Sequence, residues 1–185
     1  MYAQSDDTFT RMTEAEYLAF ADEQDEKYEY VDGYVYAMSG GSVRHGIITV
    51  NISTRLNLAL EDRDCSVTSP DTRVQVVSAS KITYRYPDVT VFCGPPDYVE
   101  GRTDTIQSPT LVVEVLSPGT ALVDRNQKLG EYTAIDSLMA YLLVSQDKMN
   151  VDRYLRHEDG QWLYQSVTGE AATVTVPPLG VTLRL

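Results

Sequence analysis

The sequence predicts one α/β domain. Its core is ordered helix, strand, strand, strand, helix, strand over a mixed central sheet, with additional β hairpins at both ends. Three observations carry that expectation. Between residues 43 and 60, Ile48, Ile52, Leu56, Ala59 and Leu60 recur at spacings of three and four, the pattern of a helix with one buried face. Leu111–Leu116 is a nearly continuous apolar run, as in a central strand covered on both sides. Asp32-Gly33 and Asp159-Gly160 each lie between β-forming stretches, a strong short-range signal for a hairpin.

In chain order, residues 1–11 read as a loose arm. Thr13-Glu14-Ala15-Glu16 has the form of a capping box, and Tyr17, Leu18 and Ala21 give the short helix after it an apolar side. The acidic run Asp22-Glu23-Gln24-Asp25-Glu26 reads as a solvated turn. Tyr28–Val31 and Tyr34–Met38 form the first hairpin, Ser39-Gly40-Gly41-Ser42 breaks it, and the helix from Val43 to Leu60 follows. Cys65–Thr68 and Thr72–Val77 read as strands, and Tyr84 to Phe92 as a returning strand whose Asp88–Phe92 part pairs with Arg73–Val77. The stretch from Gly94 to Ser108 is a long loop, a kind of segment that is usually functional or mobile. Beyond Leu111–Leu116 and the break at Ser117-Pro118-Gly119-Thr120, a helix is expected from about Asp124 to Ile135, then a buried strand at Met139–Val144. A hairpin at Val151–Arg156 and Trp162–Val167 and short β segments over residues 171–185 complete a single domain over residues 1–185.

Composition narrows the function. The chain has 185 residues, 43% of them hydrophobic, enough for one real core. With 15 Lys+Arg against 27 Asp+Glu, its net charge is −12. A global basic footprint for nucleic acid is therefore missing, although a local basic groove or bound metal ions can invert the field where it matters. No apolar run approaches the ~20 residues that span a bilayer, and the start lacks a signal-peptide pattern, so a cytoplasmic protein with no membrane partner is expected. Cys65 and Cys93, the two cysteines, read as reduced core thiols. There is no P-loop, dinucleotide fingerprint or zinc pattern, and with His45 and His157 alone a Ser-His-Asp triad has little support.

The chemistry concentrates between Tyr86 and Lys128. Asp88 opens one apolar run and Glu114 lies well inside the next. Buried carboxylates are costly unless paired or metal-bound, and two on neighbouring strands repel each other. A hard divalent cation, Mg²⁺ or Mn²⁺, would remove that cost. It would also lower the pKa of a bound water and polarise a phosphodiester, with Lys128 supplying positive charge beside the reacting phosphate. The bland reading of the same residues is a turn cap at Asp88, an ion pair at Glu114 and a surface lysine at Lys128.

The Pro87-Asp88 pair, Glu114 in the next apolar strand and the element order resemble the PD-(D/E)XK nuclease superfamily with its restriction-endonuclease-like fold. More closely, the chain resembles the Uma-two family of restriction-endonuclease-like proteins, abundant in cyanobacteria and related bacteria. The matching stretches are Glu29-Tyr30-Val31-Asp32-Gly33, Ser42-Val43-Arg44-His45, Tyr86-Pro87-Asp88-Val89, Leu111–Pro118 and Asp124–Leu129, spanning roughly residues 10 to 145. The superfamily's usual lysine two residues after the acid is replaced by Leu116, and the resemblance implies that Lys128 on the following helix supplies the charge instead. It implies Asp88 and Glu114 as metal ligands and Lys128 as the catalytic cation. Glu29 is either an outer carboxylate orienting a metal-bound water or a hairpin acid paired with Arg or Lys. His45 either contacts phosphate or water or is a hydrogen-bonded imidazole near the helix end.

The expected activity is hydrolysis of phosphodiester bonds by a metal-dependent endonuclease, with DNA as substrate. The rivals are a non-catalytic interaction protein retaining the fold and a metal hydrolase of a smaller phosphoester. Cutting two strands calls for two sites, so a homodimer is expected, with the hairpins at residues 28–38 and 151–167 as candidate interfaces.

Overall fold

The computed structural model describes residues 11–78 and 81–184, so all but the last residue of the expected N-terminal arm lies outside the described residues. Helix α1 (Glu14–Asp22) starts where its capping box places it: the Glu16 amide donates to Thr13 Oγ1 at 3.3 Å, and the Thr13 amide donates to Glu16 Oε2 at 2.7 Å. Strands β1 (Tyr28–Val31) and β2 (Tyr34–Ala37) turn at Asp32 and Gly33, whose φ values of 49° and 96° are those of the tight hairpin expected from Asp-Gly. Helix α2 (Val43–Leu60) begins at Ser42, whose Oγ accepts the His45 amide at 3.1 Å.

The next strands are β3 (Cys65–Thr68), β4 (Arg73–Ser78), β5 (Lys81–Arg85), β6 (Val89–Cys93), the short β7 (Thr105–Ile106) and β8 (Leu111–Leu116). Here the structure differs from the sequence reading. The run from Tyr84 to Phe92 is two strands, and β4 pairs with β5 rather than β6. Pro87 explains the break: it has no amide to give a ladder, and it restricts the backbone of Tyr86 before it. The chain changes sheets there. Strands β2-β1-β5-β4-β7 form one sheet, and a second contains β6 and β8.

The helical segment after β8 also departs from a regular helix. It starts early, at α3 (Ala121–Val123), widens into a π-turn over Asp124–Lys128 and ends in α4 (Leu129–Thr133). Strands β9 (Ala140–Ser145), β10 (Asn150–Arg156) and β11 (Trp162–Thr168) complete the second sheet, in the order β11-β10-β9-β8-β6-β3. All its pairings are antiparallel except β8 with β9. The small pair β12 (Thr173–Val176) and β13 (Val181–Arg184) ends the described chain.

Alternation along β8 explains the layering. Leu111 and Val113 face one core with Leu56 and Leu60 of α2, Val89 and Val91 of β6, and Val174 and Val181 of the terminal pair. Val112 and Leu116 face a second core between the sheets, with Val74 and Val76 of β4, Tyr132 of α4 and Tyr141 of β9. Glu114 shares the parity of Val112 and Leu116, so its carboxylate falls between the sheets.

One further expectation is overturned. Cys65 and Cys93 are not separate core thiols: they face each other across β3 and β6 and form a disulfide, and Cys93 is exposed. Their distance in sequence hid this, because only the strand register brings them opposite.

Candidate active site

The change of sheets at Pro87 builds the site. The last recorded pair between β6 and β8 is Val89 with Val113, so Asp88 arrives beside Glu114 as the ladder ends. The Asp88 carboxylate takes over from the ladder, its Oδ2 accepting the Val115 amide at 2.7 Å. The same oxygen lies 3.1 Å from Nε2 of His45, at the start of α2. The hydrogen bond to Asp88 raises the His45 pKa above the ordinary imidazole value, against partial burial. Gly41 makes room for this ring: a Cβ there would meet His45 Nδ1 at 2.9 Å.

Behind Asp88 lies a buried ionic cluster. Lys128 is 6% exposed, and its ammonium is 2.9 Å from Glu114 Oε1, 3.1 Å from Asp124 Oδ1 and 3.7 Å from Glu29 Oε1. Burial disfavours the ammonium, but Glu114, Glu29 and Asp124 hold its pKa well above the ordinary value, so it is charged. Burial pushes Glu114 up to about 8; Lys128 draws it down, while Asp124 and Asp88 add to the rise. Tyr132 donates its hydroxyl to Glu114 Oε1 at 3.0 Å.

On the other sheet, the fully buried Arg85 donates to Glu29 Oε2 at 2.7 Å and grips Glu131 through Nε at 2.7 Å and Nη2 at 2.8 Å. Burial alone would raise Glu29, yet Lys128 and Arg85 hold it below the usual carboxylate value.

All five residues singled out from the sequence thus fall in one neighbourhood. Lys128 turns to Glu114, while Asp88 turns to His45. Glu29 and His45, each left with two readings, are both bonded into the cluster. The sequence reading missed Arg85, Asp124, Glu131 and Tyr132. One signal pointed to Asp124, which lies four residues before Lys128. The π-turn keeps Asp124 and Lys128 on the same side of the segment, so that the buried Asp124 Oδ1 meets the Lys128 ammonium.

The donor set was tested against a hard divalent cation. Among the described residues, no three or more His, Cys, Asp or Glu side chains form a metal-binding group. Two carboxylates nonetheless suit Mg²⁺ or Mn²⁺, which typically keep several waters and take the remaining oxygens from a phosphate. The bonds described above engage Oδ2 of Asp88 and Oε1 of Glu114, leaving the second oxygen of each. Five acids, Glu114 with its raised pKa among them, crowd around Lys128, Arg85 and His45, and a cation would offset their mutual repulsion. The residues fit. Among the described residues, no helix is long and apolar enough to cross a membrane.

Comparison with known proteins finds relatives of this chain. The Uma2 family model, described as "Putative restriction endonuclease", matches residues 14–185. Two uncharacterized proteins of Synechocystis sp. (strain ATCC 27184 / PCC 6803 / Kazusa) are similar. One is 41% identical over 155 residues, 84% of this chain and 80% of the relative. The other is 34% identical over 163 residues, 88% of this chain and 91% of the relative. A crystal structure from Anabaena variabilis ATCC 29413, described as a "putative nuclease belonging to DUF820", superposes with a TM-score of 0.75 at 18% identity, covering 94% of both chains. At that identity the likeness is one of fold.

Proposed function

The chain belongs to the Uma2 family, and on that premise we propose that it is a metal-dependent endonuclease hydrolysing phosphodiester bonds in DNA. One observation carries the reading: Lys128, far along the chain from the usual lysine position, has its ammonium 2.9 Å from Glu114 on the strand next to Asp88.

Asp88 and Glu114 would hold the Mg²⁺ or Mn²⁺ ion. When bound, the ion supplies Lewis-acid polarisation of the phosphate and lowers the pKa of a coordinated water. The chain's own residues do the rest. Lys128 holds a permanent positive charge where negative charge grows on the phosphate oxygens, and a preorganised charge in a dry site acts strongly on the transition state. Glu29, itself held by Arg85, faces that ammonium from the other sheet. His45 orients Asp88 from the start of α2.

A plasmid incubated with Mg²⁺ or Mn²⁺ should be nicked or linearised, with activity lost on chelation and in Asp88→Ala. Cleavage by Asp88→Ala at the wild-type rate would end the assignment. Single-stranded DNA, RNA and nucleotide phosphoesters in the same assay distinguish DNA cleavage from action on smaller substrates.

A second reading has its own support. Glu114 and Lys128 are closed on each other at 4% and 6% exposure, which suits a scaffold that keeps the fold without cleaving. It predicts inactivity with every substrate and cation. A homodimer belongs to the nuclease reading: the edge strand β11 offers exposed Leu163 and Tyr164, and the mass in solution by light scattering tests it.

A further inference from the structure

On the face of the six-stranded sheet away from Glu114, a cavity of about 450 Å³ opens between α2, the end of β9, the start of β10, and β13. Its floor is apolar, built from Ile48, Ile52, Leu142 and Val144. Its rim is cationic, with Arg44, Arg55, Lys148 and Arg184. One acid, Asp147, lies among the lining residues, and Arg44 already stands 3.9 Å from it. In a chain of net charge −12 this is a local reversal of sign, and α2 itself contains no Asp or Glu.

The cavity and the acidic cluster meet at one edge of the fold. Glu114 pairs with Leu143 and Leu116 with Ser145, so the same ends of β8 and β9 carry the cluster on one face and the cavity on the other. The N-terminus of α2 bridges them: His45 touches Asp88, and its neighbour Arg44 lines the cavity. A strand held at Asp88 has a short path over α2 to the basic rim.

We propose that this cavity receives one base of a nucleic-acid strand, with its flanking phosphates on Arg44, Arg55, Lys148 and Arg184. The inference rests on the nuclease reading and adds a substrate-holding site to it. The volume lies within the range of small-molecule sites, and an apolar floor suits the face of a base. The side-chain amides of Asn51 and Asn150, which also line the cavity, offer donors and acceptors for its edge. Guanidinium groups pair with phosphate in two-pronged fashion.

The test is fluorescence anisotropy of a labelled 12-nucleotide single strand, as DNA and as RNA of the same sequence, at low salt with chelator present. Wild type and Glu158→Gln, a change at an exposed turn outside the cavity and the ionic cluster, should bind alike. Arg55→Glu and Arg184→Glu, changes at exposed positions, should each weaken binding about tenfold, with a shallower salt dependence. Ile52→Trp, which fills the floor without changing charge, should weaken it as well. Binding unchanged in both arginine variants or in Ile52→Trp, or no binding by wild type, overturns the inference. Strand binding through the rim without cleavage under any metal would leave this site standing and refute the nuclease reading. The DNA and RNA arms identify the source of the strand.

Discussion

Two ionic networks in this molecule invite comparison. Near the surface, Arg73 and Arg102 meet Asp22 and Asp104: Arg102 lies 2.6 Å from Asp22 and 2.8 Å from Asp104, and Arg73 also bonds Asp104. Two cations face two carboxylates, and both acids are about half exposed. Between the sheets, Lys128, Arg85 and His45 face Glu29, Asp88, Glu114, Asp124 and Glu131, and most of these groups are buried. The first network is balanced and, apart from the buried Arg73, wet, as a stabilising cluster should be. The second is unbalanced and dry, so it taxes the fold. Perturbed, desolvated charges of that kind concentrate at functional sites.

The strongest way to break the contrast is Asp88→Ala. Activity should fall by about a thousandfold or more, while the melting temperature stays near that of wild type. Lys128→Ala should act on both fronts: it leaves Glu114, Glu29 and Asp124 without their shared cation, at about 3–5 kcal/mol of stability in a denaturant titration. A Lys128→Ala, Glu114→Gln double variant should recover part of that loss, and strict additivity would mean that the pair is not coupled.

Gly41→Ala sharpens the comparison from outside the cluster. Its new Cβ must push the His45 ring, so activity should drop about tenfold with stability changed by less than about 0.5 kcal/mol. Arg102→Ala, in the balanced network, should lower stability by no more than about 1 kcal/mol, and less in high salt.

The smallest effect is a pH dependence. Arg102 holds Asp22 below the usual carboxylate range; partial burial opposes the same shift at Asp104, but Arg102 and Arg73 hold it lower still. A depressed carboxylate contributes stability above its unfolded pKa of about 3.9 and loses it as pH falls. Asp104→Asn should flatten acid unfolding below about pH 4. An unaltered acid limb would mean that the network contributes nothing there.

Local signals carried much of the fold. Ser42 and the apolar spacing set the limits of α2, and Asp32-Gly33 set the first hairpin. The acids at Asp88 and Glu114 were visible because charge inside an apolar run is costly. What escaped depends on long-range register. No local pattern reveals that Pro87 moves the chain to another sheet, or that β3 and β6 align Cys65 with Cys93. Arg85 was hidden in the same way: its bonds to Glu29 and Glu131 cross from one strand to a hairpin and a helix far apart in sequence.

That change of sheet at Pro87 also dictates an order of assembly. Glu29 and Arg85 belong to one sheet, Asp88 and Glu114 to the other, and Lys128 to the segment between them. A hairpin completed early in synthesis must wait until the chain has run past Lys128 before its carboxylate meets the ammonium. A nascent or partly unfolded chain therefore carries the residues of the cluster without its arrangement. The site exists only where the two sheets are docked, because each supplies part of it.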